Sequence, residues 1–576
     1  MISVRVNYKT KPIHQTKGMD IQMKIISKVL SSLVKVFPDE EPVYMPENTL
    51  FTAMRNETIS FQIAYYTKDE LCRRVKISLK SPILKNLRLR EVLCVPCSYP
   101  AYSSADDHYL RLTPGLYPDL LRECHDRAVI VVPGEWRSLW IDVEPDDDLI
   151  PGTYPVEVTF INCNTQEECG SAKTTVSVFD VVLPSQTLIR TEWFHGDCLA
   201  DYYQIPVFSE EHWRIMENFI AAAVKRGINM IFTPAFTPPL DTEVGGERTT
   251  IQLVEVKVYD GKYSFGFQKL KRWVDMCKKV GIKYFEMSHL FTQWGAKHAP
   301  KVMAMSDGAY RQIFGWDTPA TGGAYTDFLY AYLPELTEKL KEWEIAEVTY
   351  FHISDEPGVE HLGSYQAAKA SVWKYLKDFV IMDALSDYEF YKTGAVTKPV
   401  SSNDHIQTFL DNGVKNMWSY YCSAQCQNVC NRFFSMPSVR NRIYAVQLFK
   451  YDIEGILHWG YNFYNTKHSM YHINPYQVTD SGGAFPGGDA FLVYPKEDGT
   501  PEESIRMMVL DEAMNDLRAF HYLASLTSRD YVTMLMEECL PGPVTFDNYP
   551  KSDYYLISLR NRVNNEIVRH ISKTVF

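Results

Sequence analysis

With 576 residues, 45% of them hydrophobic, the chain is long enough for two or three domains with sizeable cores. A net charge of -12 and the lack of a Lys/Arg-rich run argue against a nucleic-acid backbone as partner. No stretch of about 18 uncharged apolar residues reads as a membrane span, and the 12 cysteines follow no disulfide pattern.

Residues 1–36 read as an N-terminal extension. The run from Met23 to Phe37 has the look of a leader, but Lys28 and Lys35 interrupt its apolar centre and no small-residue cleavage site follows, so an amphipathic segment of a cytoplasmic protein is expected. From 37 to 184 short β-rich runs at 58–66, 127–132, 138–143, 153–160 and 173–178 are separated by Pro, Gly, Asn and Asp, which predicts a β-sandwich. Cys94-Val-Pro-Cys97, and later Cys422, Cys426 and Cys430, lack the paired second half that a zinc site needs, so no metal is predicted.

Over 185–523 strand and helix patterns alternate. Strands are predicted at 188–194, 229–232, 282–287, 348–353, 380–384, 416–421, 455–459 and 490–494, with helices between most of them and a last helix at 502–523. Eight such units predict an α/β fold with a (β/α)8 TIM-like barrel, and no Gly-x-Gly-x-x-Gly follows any strand to favour a nucleotide-binding sheet. Residues 524–576 read as a C-terminal helical segment, with a helix at 554–571.

The strongest chemical signal closes the fourth predicted strand. Val348-Thr-Tyr-Phe-His-Ile-Ser-Asp-Glu-Pro357 is an apolar run that stops on two adjacent carboxylates. Neighbouring side chains of a strand face opposite ways, so Asp355 and Glu356 reach one substrate only where the strand ends; Pro357 supplies that end and biases Glu356 toward extended backbone. Asp39-Glu-Glu-Pro42 nearly repeats the motif in a solvated loop. What separates the two is position, because parallel barrels do their chemistry at the carboxyl ends of the strands. The loops there are rich in polyol-binding groups, with His289 and Trp294 after the third strand, Tyr421 after the sixth, Trp459, Tyr461, Asn462 and Tyr464 after the seventh, and Asp489 before the eighth. His352 and Glu286 lie on strands and read as packed or ion-paired barrel residues.

Two acids in such a mouth point to glycosidic cleavage, in which one carboxyl protonates the leaving group. Acids in a nucleophile-and-acid pair usually come from different strands. Adjacent acids favour a mechanism in which the substrate's own 2-acetamido oxygen attacks and the second carboxylate holds the acetamido N–H.

The sequence resembles glycoside hydrolase family 123, the retaining β-N-acetylgalactosaminidases, over the β-rich domain and the barrel. The resemblance rests on Ser354-Asp-Glu-Pro357, Gly455-Ile-Leu-His-Trp-Gly-Tyr-Asn462, Gly488-Asp-Ala-Phe-Leu-Val-Tyr-Pro495 and Glu503-Ser-Ile-Arg506. It implies that Asp355 orients the acetamido group and that Glu356 is the general acid and then the base, with no cofactor. It further implies exo-cleavage of terminal β-linked N-acetylgalactosamine, or another N-acetylhexosamine, from a glycan or glycolipid. Tyr464 stands where related barrels carry Trp, a smaller stacking face with an added hydroxyl. An inverting glycosidase of other sugar preference and a non-catalytic carbohydrate-binding protein are the alternatives.

Overall fold

The computed structural model describes residues 23–43 and 50–574. Its amino-terminal part is two five-stranded sheets packed face to face. One runs Ile26–Ser31, Ile59–Tyr66, Arg137–Val143, Leu87–Cys97, Gly115–Glu123; the other runs Phe51–Met54, Glu168–Phe179, Gly152–Asn162, Cys72–Lys80, Ala128–Val131. Strand alternation decides the packing. Phe61, Ile63 and Tyr65 join Ile77, Val158 and Val176 between the sheets, while Ser60 and Gln62 alternate to the opposite face of their strand. The first strand corrects the sequence reading. Ile26–Ser31 lies in the segment expected to be an extension, yet it pairs along its length with Ile59–Tyr66; residues 1–22 lie outside the described residues.

The second part is a closed barrel of eight parallel strands, Ile189–Glu192, Met230–Thr233, Tyr284–Met287, Thr349–Phe351, Val380–Leu385, Lys398–Ser402, Trp418–Tyr420 and Gly455–His458. The last strand pairs back onto the first, Ile189 opposite Gly455, and helical segments lie between successive strands. Its interior is filled by Met230, Phe232, Met382, Val400, Trp418 and Leu457. Gly455 is required there, because a Cβ would lie 2.2 Å from the Trp418 ring.

Two expectations fail together. Lys398–Ser402 is a barrel strand that the sequence reading missed, since Pro399 and two serines dilute its apolar pattern even though four of its five residues are buried. The run 490–494, expected as the eighth strand, is outside the barrel; Val493–Pro495 pairs antiparallel with Pro501–Glu503. The predicted sixth and seventh strands are therefore the seventh and eighth.

A buried ionic seam joins the two parts. Arg90 of the sandwich bridges Asp142 (2.7 Å) and Glu503 (2.6 Å), and Arg226 of the barrel meets the same Glu503 (2.6 Å) and Asp511 (3.2 Å). Along the helix Ile505–Leu526, Glu512 accepts from Ser32 and Arg442, both at 2.7 Å, and from the Ser60 N–H at 3.2 Å. The carboxy-terminal helix Asp553–Thr574 adds Arg560, which reaches Glu57 and Asp516. Each acid here faces at least one guanidinium, the arrangement that offsets the cost of burying charge.

Candidate active site

The fourth barrel strand is only three residues long, but its direction is held further. The N–H groups of Leu290 and Phe291 donate to the carbonyls of His352 (3.3 Å) and Ile353 (3.1 Å), and the Asp383 carboxylate accepts from the Ile353 N–H at 3.0 Å. The chain then turns sharply. Glu356 adopts φ 44, the left-handed region, with its N–H bound to the Ala384 carbonyl at 3.1 Å. This corrects the expectation of extended backbone before Pro357 and explains how adjacent acids come to line one cavity. Left-handed backbone at a non-glycine residue costs about 1–3 kcal/mol and persists where the surroundings fix it, as at functional sites.

Asp355 and Glu356 share this cavity with Trp193, His195, Gln293, Trp294, Tyr420 and Trp459, among others. Its volume is about 140 Å³, and since a single water needs roughly 10–15 Å³ on the same measure, it has room for a ring-sized ligand. Gln293 Nε2 donates to Asp355 Oδ2 at 2.7 Å, and the Tyr420 hydroxyl donates to Glu356 Oε1 at 2.7 Å. Burial, with the neighbouring Glu356 charge, pushes the Asp355 carboxyl up to about 8, against the bond from Gln293 and the charge of His352. Burial also raises Glu356, opposed by the Tyr420 bond and reinforced by Asp404. Both carboxyls are thus pushed toward the protonated form, and their titration belongs to the pair.

Beneath the pair lies a buried bridge. His352 Nε2 meets Glu286 Oε1 at 2.7 Å and its Nδ1 meets Asp383 Oδ1 at 3.1 Å; burial works against the cation, but the two carboxylates outweigh it and raise the imidazole to about 10. Glu286 also accepts from Trp193 Nε1 at 2.7 Å, so the bridge fixes a cavity wall. His289, His352 and Asp383 approach closely enough to be considered for a metal. Both His352 nitrogens are already engaged, and its ring stacks on His289 at 4.3 Å and 22°, so their in-plane lone pairs run side by side instead of converging.

Of the residues singled out by sequence, Asp355, Glu356, Trp459 and Trp294 line the cavity. The others are not among the residues that line it. Asn462 is fully buried and binds the His195 backbone through both ends of its amide (2.9 and 3.0 Å). Asp489 accepts from Trp459 Nε1 at 3.0 Å and positions that indole from behind. Tyr461 and Tyr464 spend their hydroxyls on the carbonyls of Phe219 and Val493. Tyr421 packs against His458 and Tyr444, and His289 against His352 and Trp193. The sequence reading missed Gln293 and Tyr420. Tyr420 had a signal: with period two, Trp418 and Tyr420 face the barrel interior, which sends Tyr421 outward.

Against known families, residues 193–523 match the model for the glycoside hydrolase 123 catalytic domain. The chain belongs to glycoside hydrolase family 123. In this family 123 member the matched segment begins at Trp193 and holds every residue that lines the cavity, the acid pair included. Among solved structures it is similar to a family 123 glycoside hydrolase from Clostridium perfringens studied for glycolipid glycan hydrolysis, at 14% identity and TM-score 0.75, covering 96% of this chain and 100% of that one. A β-glucuronidase from Ruminococcus gnavus aligns at 9% identity and TM-score 0.31, over 88% of this chain and 99% of that one. No curated protein sequence matches significantly.

Proposed function

We propose that this glycosidase is an exo-acting, retaining β-N-acetylhexosaminidase that releases terminal N-acetylgalactosamine from a glycan or glycolipid by substrate-assisted catalysis, the barrel serving as a (β/α)8 TIM-like scaffold. The observation that carries this reading is the left-handed turn at Glu356, through which two consecutive carboxyls line one cavity with different partners. Asp355, held by Gln293, accepts the acetamido N–H. In the free cavity burial keeps a proton on Asp355; the acetamido N–H, added to the Gln293 bond, favours the Asp355 anion and passes that proton to Glu356.

The acetamido oxygen then attacks C1 as Glu356 transfers its proton to the glycosidic oxygen, the C1–O bond breaks, and the aglycone leaves as an alcohol. The positive charge of the resulting oxazolinium lies beside Asp355. A water attacks C1, its proton passes to the Glu356 carboxylate, and the oxazoline C1–O bond breaks. Two displacements at one carbon restore the β configuration. Trp459, braced by Asp489, and Trp193, braced by Glu286, offer aromatic faces to the sugar. The test is a set of aryl β-glycosides differing at C2 and C4, with a thiazoline as inhibitor and NMR of the first-formed anomer. Cleavage confined to 2-acetamido sugars, thiazoline inhibition and a β product are expected; an α product would sink the mechanism.

A further inference from the structure

Asp241 follows the second barrel strand and lines the same cavity, yet it belongs to none of the hydrogen-bonded sets described above. Its Oδ2 is buried with no hydrogen-bond partner among the described residues, and its backbone is left-handed at φ 46. That conformation is held from two sides. Gln293 Oε1 accepts the Asp241 N–H at 2.7 Å, and Ser469 Oγ donates to the Asp241 carbonyl at 3.0 Å. Gln293 is also the donor to Asp355, so one carboxamide fixes Asp241 and the catalytic carboxylate in a common frame.

Burial pushes the Asp241 carboxyl up, with Arg248 and the backbone of His468 and Ser469 opposing. Arg248 does not donate to it: the guanidinium is spent on both Asp197 oxygens, the Leu240 carbonyl and His195 Nδ1. A buried carboxylate oxygen without a donor costs free energy, and folded chains keep such groups where a ligand completes them. Among the described residues none supplies that donor, and Asp241 lines the cavity, whose occupant in a glycosidase carries hydroxyls.

We propose that Asp241 is a substrate-recognition residue that accepts a hydroxyl of the sugar held against Asp355 and Glu356, and that its carboxylate makes the cavity select neutral sugars over those bearing a sulfate or carboxylate. The inference rests on reading this cavity as the sugar site, and goes beyond it in naming what is recognised.

The experiment compares wild type, Asp241→Asn and Asp241→Ala on the aryl glycoside cleaved best, on its 3-, 4- and 6-deoxy forms and on its 6-sulfated counterpart. Asp241→Ala is expected to lose about 10- to 100-fold in kcat/KM, the range of a hydrogen bond to a charged group, and Asp241→Asn less. One deoxy substrate should be slowed in wild type but little further in Asp241→Ala, and preference for neutral over sulfated sugar should fall at least about tenfold. The melting temperature of Asp241→Asn should match wild type, because the carboxamide oxygen keeps the His468 and Ser469 backbone donors and the unpartnered position loses none; a structural role would lower it. The isosteric Asp241→Asn decides the matter if the alanine variant folds poorly. Activity within about threefold of wild type, or equal losses on every deoxy substrate in both proteins, overturns the proposal. If 2-acetamido glycosides resist cleavage while another glycoside is hydrolysed, the hexosaminidase reading fails, and the same deoxy series on that glycoside still decides Asp241.

Discussion

The seam between sandwich and barrel and the mouth of the barrel both bury carboxylates, yet they treat them in opposite ways. At the seam Glu503 meets Arg90, Arg226 and Arg88, and although burial opposes its charge the three guanidinium groups hold its carboxyl far below the usual range. At the mouth Asp355 meets a carboxamide and another acid, and burial pushes it up to about 8. Burial is common to both, so the partners decide. Arginine fixes a charge permanently, whereas a carboxamide or phenol leaves a proton that can be exchanged, and only the second kind of acid can serve as a general acid.

Exchanging the proton carrier for a group that cannot carry one should have the largest effect. Glu356→Gln is expected to lower kcat by about 10²–10⁴-fold on substrates with poor leaving groups, and much less on aryl glycosides whose phenol leaves unaided; steady-state kinetics across a series of leaving groups measures the slope. Equal losses across the series would place Glu356 outside the proton transfer.

At the seam the loss should appear in stability. Arg226→Ala strands Asp511 and takes one of three guanidinium partners from Glu503, and breaking such a buried pair costs about 3–5 kcal/mol. Denaturant unfolding is expected to show it, with kcat per folded molecule unchanged. Glu503 is lowered in the folded state, so its contribution is full above its ordinary value of 4.5 and is lost as pH falls toward its folded value; Glu503→Gln should therefore narrow the gap to wild type in acid.

Asp355 runs the other way. Its folded carboxyl stands near 8 against an ordinary 3.8, so between these values the folded chain holds more proton than the unfolded chain and stability falls as pH rises. Asp355→Asn should melt higher than wild type by a margin that grows from about pH 5 to about pH 8, while losing activity. A margin independent of pH would mean that Asp355 is not the group being titrated. The smallest effect is assigned to Tyr420→Phe. Removing the hydroxyl that steadies the Glu356 anion raises the Glu356 carboxyl further, so the basic limb of kcat/KM should move to higher pH with a loss of about tenfold or less.

Much of the mouth was legible in the sequence because strand alternation and strand ends are local. Val348 to Pro357 announced a strand closing on two acids, and Trp459 and Trp294 followed strand ends. Asn462, Tyr461 and Tyr464 follow a strand end equally well, but their hydroxyl and amide groups are consumed by backbone of other elements, Phe219, His195 and Val493, which no spacing discloses. Lys398–Ser402 was unreadable for a related reason: its buried Ser402 is satisfied by hydrogen bonds with Ser386 and His405, which the apolar pattern does not disclose.

By itself the sequence determined a β-rich part followed by alternating strands and helices, an acid pair at a strand end, and the resemblance to family 123, since these rest on residue order and on periods of two and 3.6. The tertiary structure decided which strand is sixth, that Ile26–Ser31 belongs to the sandwich, and which acids keep an exchangeable proton. Those outcomes depend on what a side chain meets from distant parts of the chain, an arginine at Glu503, a carboxamide at Asp355 and, among the described residues, no donor at Asp241 Oδ2.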